Sequence, residues 1–402
     1  MPSVCIYFQV HQPYRLRPYS FFDIGTVHAY DDEENNRKIL NKVADNCYLP
    51  TNGILLDLLQ HYRGDFRIAF SLTGVLLEQL ELYRPDALES FQRLADTGCV
   101  EFLSETYGHS LAVLFSLREF AEQVRQQAKK IKTLFGQKPV TFRHTELIYS
   151  NALAGYAEKM GYEAILAEGA DQVLAGRSPN CLYRPAGCTK IKTLLKNYRL
   201  SDDIAFRFSD RQWSAYPLRA DKFAQWVHQA VPPGDVVNLF LDYETFGEHH
   251  GPETGIFEFL RALPQEIIRH PDWRFQTPAE AVRGHEPQGL LDVPDITSWA
   301  DSERDLTAWL GNAMQQEAIG LLYDLEAEMR RKKNQGLLPA WRKLQAADHF
   351  YYMSTKEFND GAVHRYFNPY ESPYDAYINY MNILDDFSRQ VARRRSQGAQ
   401  KN

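Results

Sequence analysis

No CxxC pair occurs in this chain, and its five cysteines (Cys5, Cys47, Cys99, Cys181, Cys188) are an odd number. That argues against a disulfide framework and against a structural zinc knuckle. No apolar run is long enough to span a bilayer, so no membrane partner is expected. The opening "MPSVCIYFQVHQP" has neither a basic start nor a small-residue cleavage site. A reducing cytoplasm is the expected compartment. Positive charge is not in excess: the formal net charge is -7, and the runs "RRKK" (330–333) and "RRR" (393–395) read as solvated helix ends. A nucleic-acid partner is therefore not expected. No glycine-rich fingerprint follows the first strand-like segment, which weakens a dinucleotide-binding reading. No HExxH-type spacing of metal ligands appears either.

What is present is an ordinary globular composition, 44% apolar and 24% charged, over 402 residues. That length suits one large α/β domain with an appended domain. Aromatics are abundant, with 23 Tyr and 23 Phe. They serve a ring-rich core, or a cleft with flat platforms for sugars or bases.

Short apolar runs alternate with longer helix-like stretches. "VCIYFQV", "FRIAFSL", "VEFLS", "VTFRHTELI", "EAILAEG", "IAFRF" and "VVNLFLDYE" read as strands, and "WRFQTPAEAV" as a last strand turning into a helix. Strands without clean apolar–polar alternation, separated by helices, predict a buried parallel sheet. A closed barrel is preferred to an open doubly wound sheet. From about residue 300 the pattern becomes wholly helical. The expected division is a barrel over 1–285 and a helical domain over 286–402, joined through "GHEPQGLLDVPDITSWADSE".

In a parallel barrel, functional groups gather at the carboxyl ends of the strands. Period-two alternation pairs Gln9 with His11, Glu101 with Glu105, His144 with Glu146, and Asp242 with Glu244. A single such acid could simply cap the next helix. Four strand ends carrying carboxyls or imidazoles together suggest a site. Facing carboxyls suit glycoside hydrolysis, one as nucleophile or base and the other as acid. The alternative is a divalent metal held by His11, Asp242 and a second imidazole.

The segments "HQP" (11–13), "GCVEFLSETYGHSL" (98–111), "FRHTELIYSN" (142–151), "LDYETFGEH" (241–249) and "TAWLGNAMQ" (307–315) occur in this order. Together they resemble the five sequence regions of glycoside hydrolase family 57, in its α-amylase branch. The resemblance implies an incomplete (β/α)7 barrel followed by a helical region, and retaining cleavage of α-1,4-glucans or maltooligosaccharides with no cofactor and no metal. It maps the nucleophile onto Glu146 and the general acid/base onto Asp242. It places His11 and Glu101 against the sugar. His144 is a candidate for sugar binding or for tuning Glu146, and Trp309 and Trp213 are candidate stacking faces. Glu244, Glu248 and His249 would orient Asp242 or its loop, and His250 is left to solvent. Transfer shares the covalent intermediate, so 4-α-glucanotransferase and branching enzyme are the nearest rivals. A metal-dependent deacetylase or mannosidase-like enzyme, or a non-catalytic glucan-binding protein, are the rivals of other classes.

Overall fold

The computed structural model describes residues 1–231, 234–356 and 367–399; the side chains of Lys332, Lys333 and Arg395, from the two basic runs, also lie outside what is described. Ten strands form among these residues. They are β1 (Ser3–Val10), β2 (Ile68–Leu72), β3 (Val100–Phe102), β4 (Thr141–Arg143), β5 (Ala164–Glu168), β6 (Arg184–Pro185), β7 (Lys192–Lys196), β8 (Val236–Asp242), β9 (Arg274–Phe275) and β10 (Leu290–Leu291). Seven of them follow the order β3-β2-β1-β8-β7-β5-β4, with β9 added on β1. Every strand pairing in this sheet is parallel. The sheet curls through 271° into an incomplete barrel. Its weakest joints are the single residue pair Lys196–Asn238 between β7 and β8, and an isolated bridge, Ser104–Phe142, between the two ends of the path.

β1 shows how the sequence sets the layers. All eight of its residues are buried, as a strand covered on both faces requires. Val4, Ile6, Phe8 and Val10 pack outward against the helices. Cys5 and Tyr7 point into the barrel with Leu166, Leu194 and Phe240. The same alternation carries Gln9 and then His11 inward at the carboxyl end. All five cysteines are buried and unbridged.

The crossovers form where their caps predict. Thr73 caps Gly74–Tyr83, accepting a hydrogen bond from Leu76 N–H. Leu117–Phe135 ends at Gly136, whose φ of 71° is the left-handed conformation glycine tolerates. One strand differs from expectation. "IAFRF" is not a strand: its start closes the helix Tyr198–Ala205, which Asn197 caps and which buries Leu200 and Ile204 on one face. The strand in that part of the sheet is "KTLLK", β7, whose terminal lysines obscure a three-residue apolar centre.

After β10 the chain runs without a helix as far as Leu306, and from Thr307 it is helical, in shorter pieces than the sequence suggests. Gly311 and the N-cap Asn312 break the first long stretch into Thr307–Leu310 and Ala313–Asp324. Leu338–Lys343, Ala347–Tyr351 and Pro373–Ala399 follow. One apolar cluster contains both sheet residues (Phe142, Ile165, Leu195) and helical-region residues (Trp341, Phe350, Phe387), so the two parts pack through a common core. Arg330 of the first basic run is engaged with Glu119, Glu122 and Glu326. Among the described residues no helix is long and apolar enough to cross a membrane.

Candidate active site

A cleft of about 810 Å³ opens at the carboxyl ends of the strands. Gln9, His11, Arg143, Glu146 and Asp242 come from the barrel, and Trp299, Trp309, Asp348 and Tyr352 from the region after it.

Glu146 follows β4 in a tight turn at φ 57°, ψ 27°. This left-handed turn lifts the carboxylate into the cleft. Oε1 accepts a 2.8 Å hydrogen bond from His109 Nε2, and Oε2 accepts one of 2.6 Å from Trp299 Nε1. Burial alone would raise the Glu146 pKa. The His109 hydrogen bond and charge, the Arg143 charge and the Trp299 hydrogen bond outweigh it and hold the carboxyl down to about 2. It is ionised and fixed at both oxygens.

His109 also occupies the left-handed region, at φ 53°. Burial opposes its charge, but its bonds to Glu105 and Glu146 raise its pKa to about 9. It is therefore an imidazolium that donates from both nitrogens, Nδ1 reaching Glu105 Oε2 at 3.5 Å. Glu105 is anchored in turn by Ser71 and Arg143. Arg143 is fully buried, with its guanidinium over the rings of Phe240 (5.3 Å) and Trp299 (5.7 Å). Its charge acts on Glu105, Glu146 and Asp242 together.

His11 stacks on His109, ring centroids 4.0 Å apart and planes 22° apart. The Asp348 carboxylate can only accept, so Nε2 of the neutral His11 ring carries the proton and Nδ1 accepts from the Thr73 hydroxyl at 2.8 Å. Nε2–H of His11 then donates to Asp348 Oδ2 at 3.0 Å. Burial first, and the neighbouring His109 charge second, lower the His11 pKa and keep this ring neutral. His11, His109 and Asp348 bring potential ligand atoms within 4.8 Å of one another. The near-parallel rings direct their in-plane lone pairs alongside each other rather than to one point. Each ring nitrogen also has a hydrogen-bond partner. This donor set fits a stacked hydrogen-bond network better than a cation site, and Asp242 is not part of it.

Asp242 ends β8 in register with Gln9 of β1, which points it inward. Two residues on, Glu244 accepts from Tyr48 Oη at 2.7 Å and Gln12 Nε2 at 3.4 Å. Burial, then the Asp242 charge, push the Glu244 pKa up to about 8, so this carboxyl holds a proton at neutral pH. Glu248 ties the same loop to Lys42 at 2.6 Å and Asn46 at 2.9 Å.

Of the residues singled out in the sequence, His11, Glu146, Asp242 and Trp309 line the cleft, and Glu101, His144 and Trp213 do not. Glu101 sits lower in the barrel, its Oε2 accepting the Ala279 N–H at 2.8 Å, where it caps the helix Pro278–Gly284. His144 is buried between Phe120 and Phe142, its Nδ1–H donated to the Thr145 carbonyl. Period-two alternation fails there because β4 ends at Arg143 and the chain turns left-handed at Glu146. The groups sharing a side are therefore Arg143 and Glu146. Trp213 packs edge-on to Trp226, beneath Arg207, away from the cleft. Trp309 reaches the cleft wall but is only 1% exposed, so it serves as a core ring rather than an open stacking platform. His250 is buried, not exposed: Nε2 donates to the Ala205 carbonyl and Ser209 donates to Nδ1.

Three important groups escaped the sequence reading. His109 lies four residues beyond Glu105, past the point where strand alternation applies. Trp299 lies in the segment read as a connection. Asp348 is one acid among many in the helical region. A polar "SETYGH" directly after a strand was the available signal for the first; nothing local marks the other two.

Paired carboxyls in a cleft at the carboxyl end of a parallel barrel define a glycosidase-type site. Comparison with known proteins gives the family. The profile of glycosyl hydrolase family 57 matches residues 5–294, and the chain belongs to that family. It is a glycoside hydrolase. A protein of Methanocaldococcus jannaschii described as "Putative alpha-amylase" is 45% identical over 393 residues, covering 94% of this chain and 83% of the relative. The branching enzyme of Thermococcus kodakaraensis superposes with a TM-score of 0.69 at 13% identity, over 96% of this chain and 90% of the other. The 4-alpha-glucanotransferase of Thermococcus litoralis gives a TM-score of 0.60 at 17% identity over 88% of this chain, which spans only 50% of that protein. At these identities the two superpositions establish the shared fold.

Proposed function

We propose that the protein is a retaining α-glucan hydrolase of the α-amylase type, acting on α-1,4-linked glucans. Glu146 is the nucleophile and Asp242 the general acid/base. The observation that carries this reading is the state of Glu146. It is ionised, hydrogen-bonded at both oxygens by His109 and Trp299, and shares its cleft with Asp242.

Each step assigns one task to one residue. Asp242 protonates the departing glycosidic oxygen while Glu146 attacks the anomeric carbon, so the C–O bond to the leaving chain breaks as the glycosyl–Glu146 ester forms. Asp242, now a carboxylate, takes a proton from water. The water oxygen attacks the anomeric carbon and Glu146 departs, retaining configuration. The imidazolium of His109 offsets the charge that returns to Glu146. Asp242 and Glu244 are coupled carboxyls, and a proton held on this pair is the one Asp242 delivers. Gln9 and Arg143 form the part of the cleft wall beside Glu146 and Asp242.

The test is incubation with maltoheptaose in EDTA, read by mass spectrometry and by NMR of the newly formed anomer, for wild type and Glu146→Gln. Shorter products of α configuration from wild type, and none from the variant, support the assignment. Products longer than the substrate would move it to a transferase or branching activity. Activity that appears only when zinc is added would move it to a metal-dependent hydrolase, and tight binding without turnover would leave a glucan-binding protein.

A further inference from the structure

Beyond Asp242 lies a second hollow of about 510 Å³. It shares Asp242 and Trp299 with the first cleft, but not Glu146, His109 or His11. Its other walls include Lys196, Asp202, Phe206 and Arg304. This asymmetry has a direction. In a double displacement the nucleophile serves the sugar that stays on the enzyme, and the acid/base serves the oxygen of the part that leaves. A hollow bounded by Asp242 and not by Glu146 lies on the leaving-group side.

We propose that this hollow is the leaving-group and acceptor subsite, with the ring of Phe206 as the stacking platform for the glucose unit beyond the cut. The inference rests on the roles given above to Glu146 and Asp242. Phe206 is 41% exposed, unusual for a large aromatic, and a flat ring at the wall of a cleft suits the apolar face of a pyranose. The backbone that carries the ring is held firmly. Phe206 closes the helix Tyr198–Ala205, its N–H donating to the Asp202 carbonyl at 3.0 Å. His250 donates to the Ala205 carbonyl at 3.0 Å. His250 belongs to the loop that follows Asp242, so platform and acid are carried on one scaffold. On the facing wall the Lys196 ammonium lies 5.1 Å over the Trp299 ring, beside Asp202 at 3.3 Å and Glu168 at 3.6 Å. Asp202 accepts from one of its three donors, Glu168 stands at ion-pair distance, and a remaining donor can serve a sugar hydroxyl. Arg304 continues the wall, its guanidinium 5.2 Å over the ring of Tyr198.

The experiment compares wild type, Phe206→Ala and Phe206→Tyr on maltoheptaose, which fills the leaving-group side, and on α-maltosyl fluoride, whose leaving group is a single atom. The ratio of kcat/KM on maltoheptaose to that on the fluoride should fall roughly tenfold in Phe206→Ala, about 1.4 kcal/mol of stacking, and recover in Phe206→Tyr. With added maltose, longer transfer products from the fluoride should decline in Phe206→Ala alone. An unchanged ratio overturns the proposal, as does an equal loss on both substrates. If wild type cleaves neither substrate, the hydrolase reading fails independently. Maltoheptaose titrated into Glu146→Gln with and without Phe206→Ala then decides the subsite: about tenfold weaker binding in the double variant supports it, and equal affinity overturns it.

Discussion

Replacing His109 with glutamine tests the electrostatic core of the site. The wild-type imidazolium gives Glu146 a 2.8 Å charge-assisted hydrogen bond and a buried positive charge. Glutamine keeps a neutral donor and removes the charge. A hydrogen bond to a charged group contributes about 1.5–3 kcal/mol. At 1.36 kcal/mol per unit, its loss from the ionised form is worth roughly one to two pKa units. Glu146 should then move up from about 2 toward the ordinary carboxylate range around its reference value of 4.5. The assay is the pH profile of kcat/KM on maltoheptaose, run from neutral pH down through about pH 2, where wild-type Glu146 titrates. Its acid limb should shift upward by one to two units, with the largest loss of activity at low pH. Stability follows the same linkage. The raised His109 pKa contributes stability fully below 6.5 and loses it as pH rises through about 9. The depressed Glu146 pKa contributes fully above 4.5 and loses it as pH falls through about 2. The thermal deficit of His109→Gln should therefore be greatest between pH 4.5 and 6.5, shrink as pH rises from 6.5 to about 9, and be gone above that. An acid limb that stays in place while kcat/KM drops by one factor at every pH would refute this reasoning and reduce His109 to packing.

Trp299→Phe keeps the ring and removes the Nε1 donor to Glu146, so kcat should fall roughly tenfold or more, about 1.5–3 kcal/mol for a bond to a charged group, with KM changed much less; steady-state kinetics on maltoheptaose decide. Glu244→Gln places a neutral amide where the protein holds a carboxyl with its pKa raised to about 8. Wild-type stability should decline as pH rises from about 4.5 through 8 on this group's account, and the variant should lack that decline in urea melts across the range. Asp348→Asn removes the negative partner of His11, so melting temperature and maltoheptaose affinity should both drop, and a variant equal to wild type in calorimetry and titration would show that Asp348 is incidental. Exhaustive dialysis against a chelator should leave activity intact; activity lost on dialysis and restored by zinc would make His11, His109 and Asp348 metal ligands after all.

Much of this architecture could be read in the chain because parallel strands buried on both faces are short apolar runs and their crossovers carry clear caps. The inward alternation of β1 carried over directly to Gln9 and His11. The exceptions have local causes. "IAFRF" has a strand's composition, but the Asn197 cap and the buried Leu200–Ile204 face make it the end of a helix. β7 is flanked by lysines, and a buried lysine on a barrel strand is legible only when its partners, Glu168 and Asp202, are known. In the site, both proposed catalytic carboxyls could be named from sequence, but their supports could not. Asp348 meets His11 across 337 positions and Trp299 meets Glu146 across 153. Such contacts are set by packing of the helical region onto the barrel, which no periodicity encodes.

The backbone at these positions links the fold to the chemistry. Among the described residues, seven other than glycine take positive φ: Arg63, His109, Glu146, Leu147, Ala175, Asp301 and Arg304. Five of them lie in the loops that present His109, Glu146 and Trp299. A left-handed residue with a side chain costs on the order of 1 kcal/mol, so this clustering has to be offset locally. Leu147 is fully buried in the barrel interior. The Trp299 N–H donates to the Glu146 carbonyl at 3.2 Å, while its indole holds the Glu146 carboxylate. The turn and the side chain it aims are thus secured by the same residue. An extended chain at 144–146 would send Glu146 to the side of the sheet where His144 lies among phenylalanines, a place in which an ionised carboxylate could not persist without a partner. The strained turn is what puts the carboxylate in the cleft, and the His109–Trp299 clamp is what makes the turn tolerable. Weakening the clamp should therefore loosen the turn as well as shift the pKa, which hydrogen exchange at the amides of 145–148 would register as faster exchange in Trp299→Phe than in wild type.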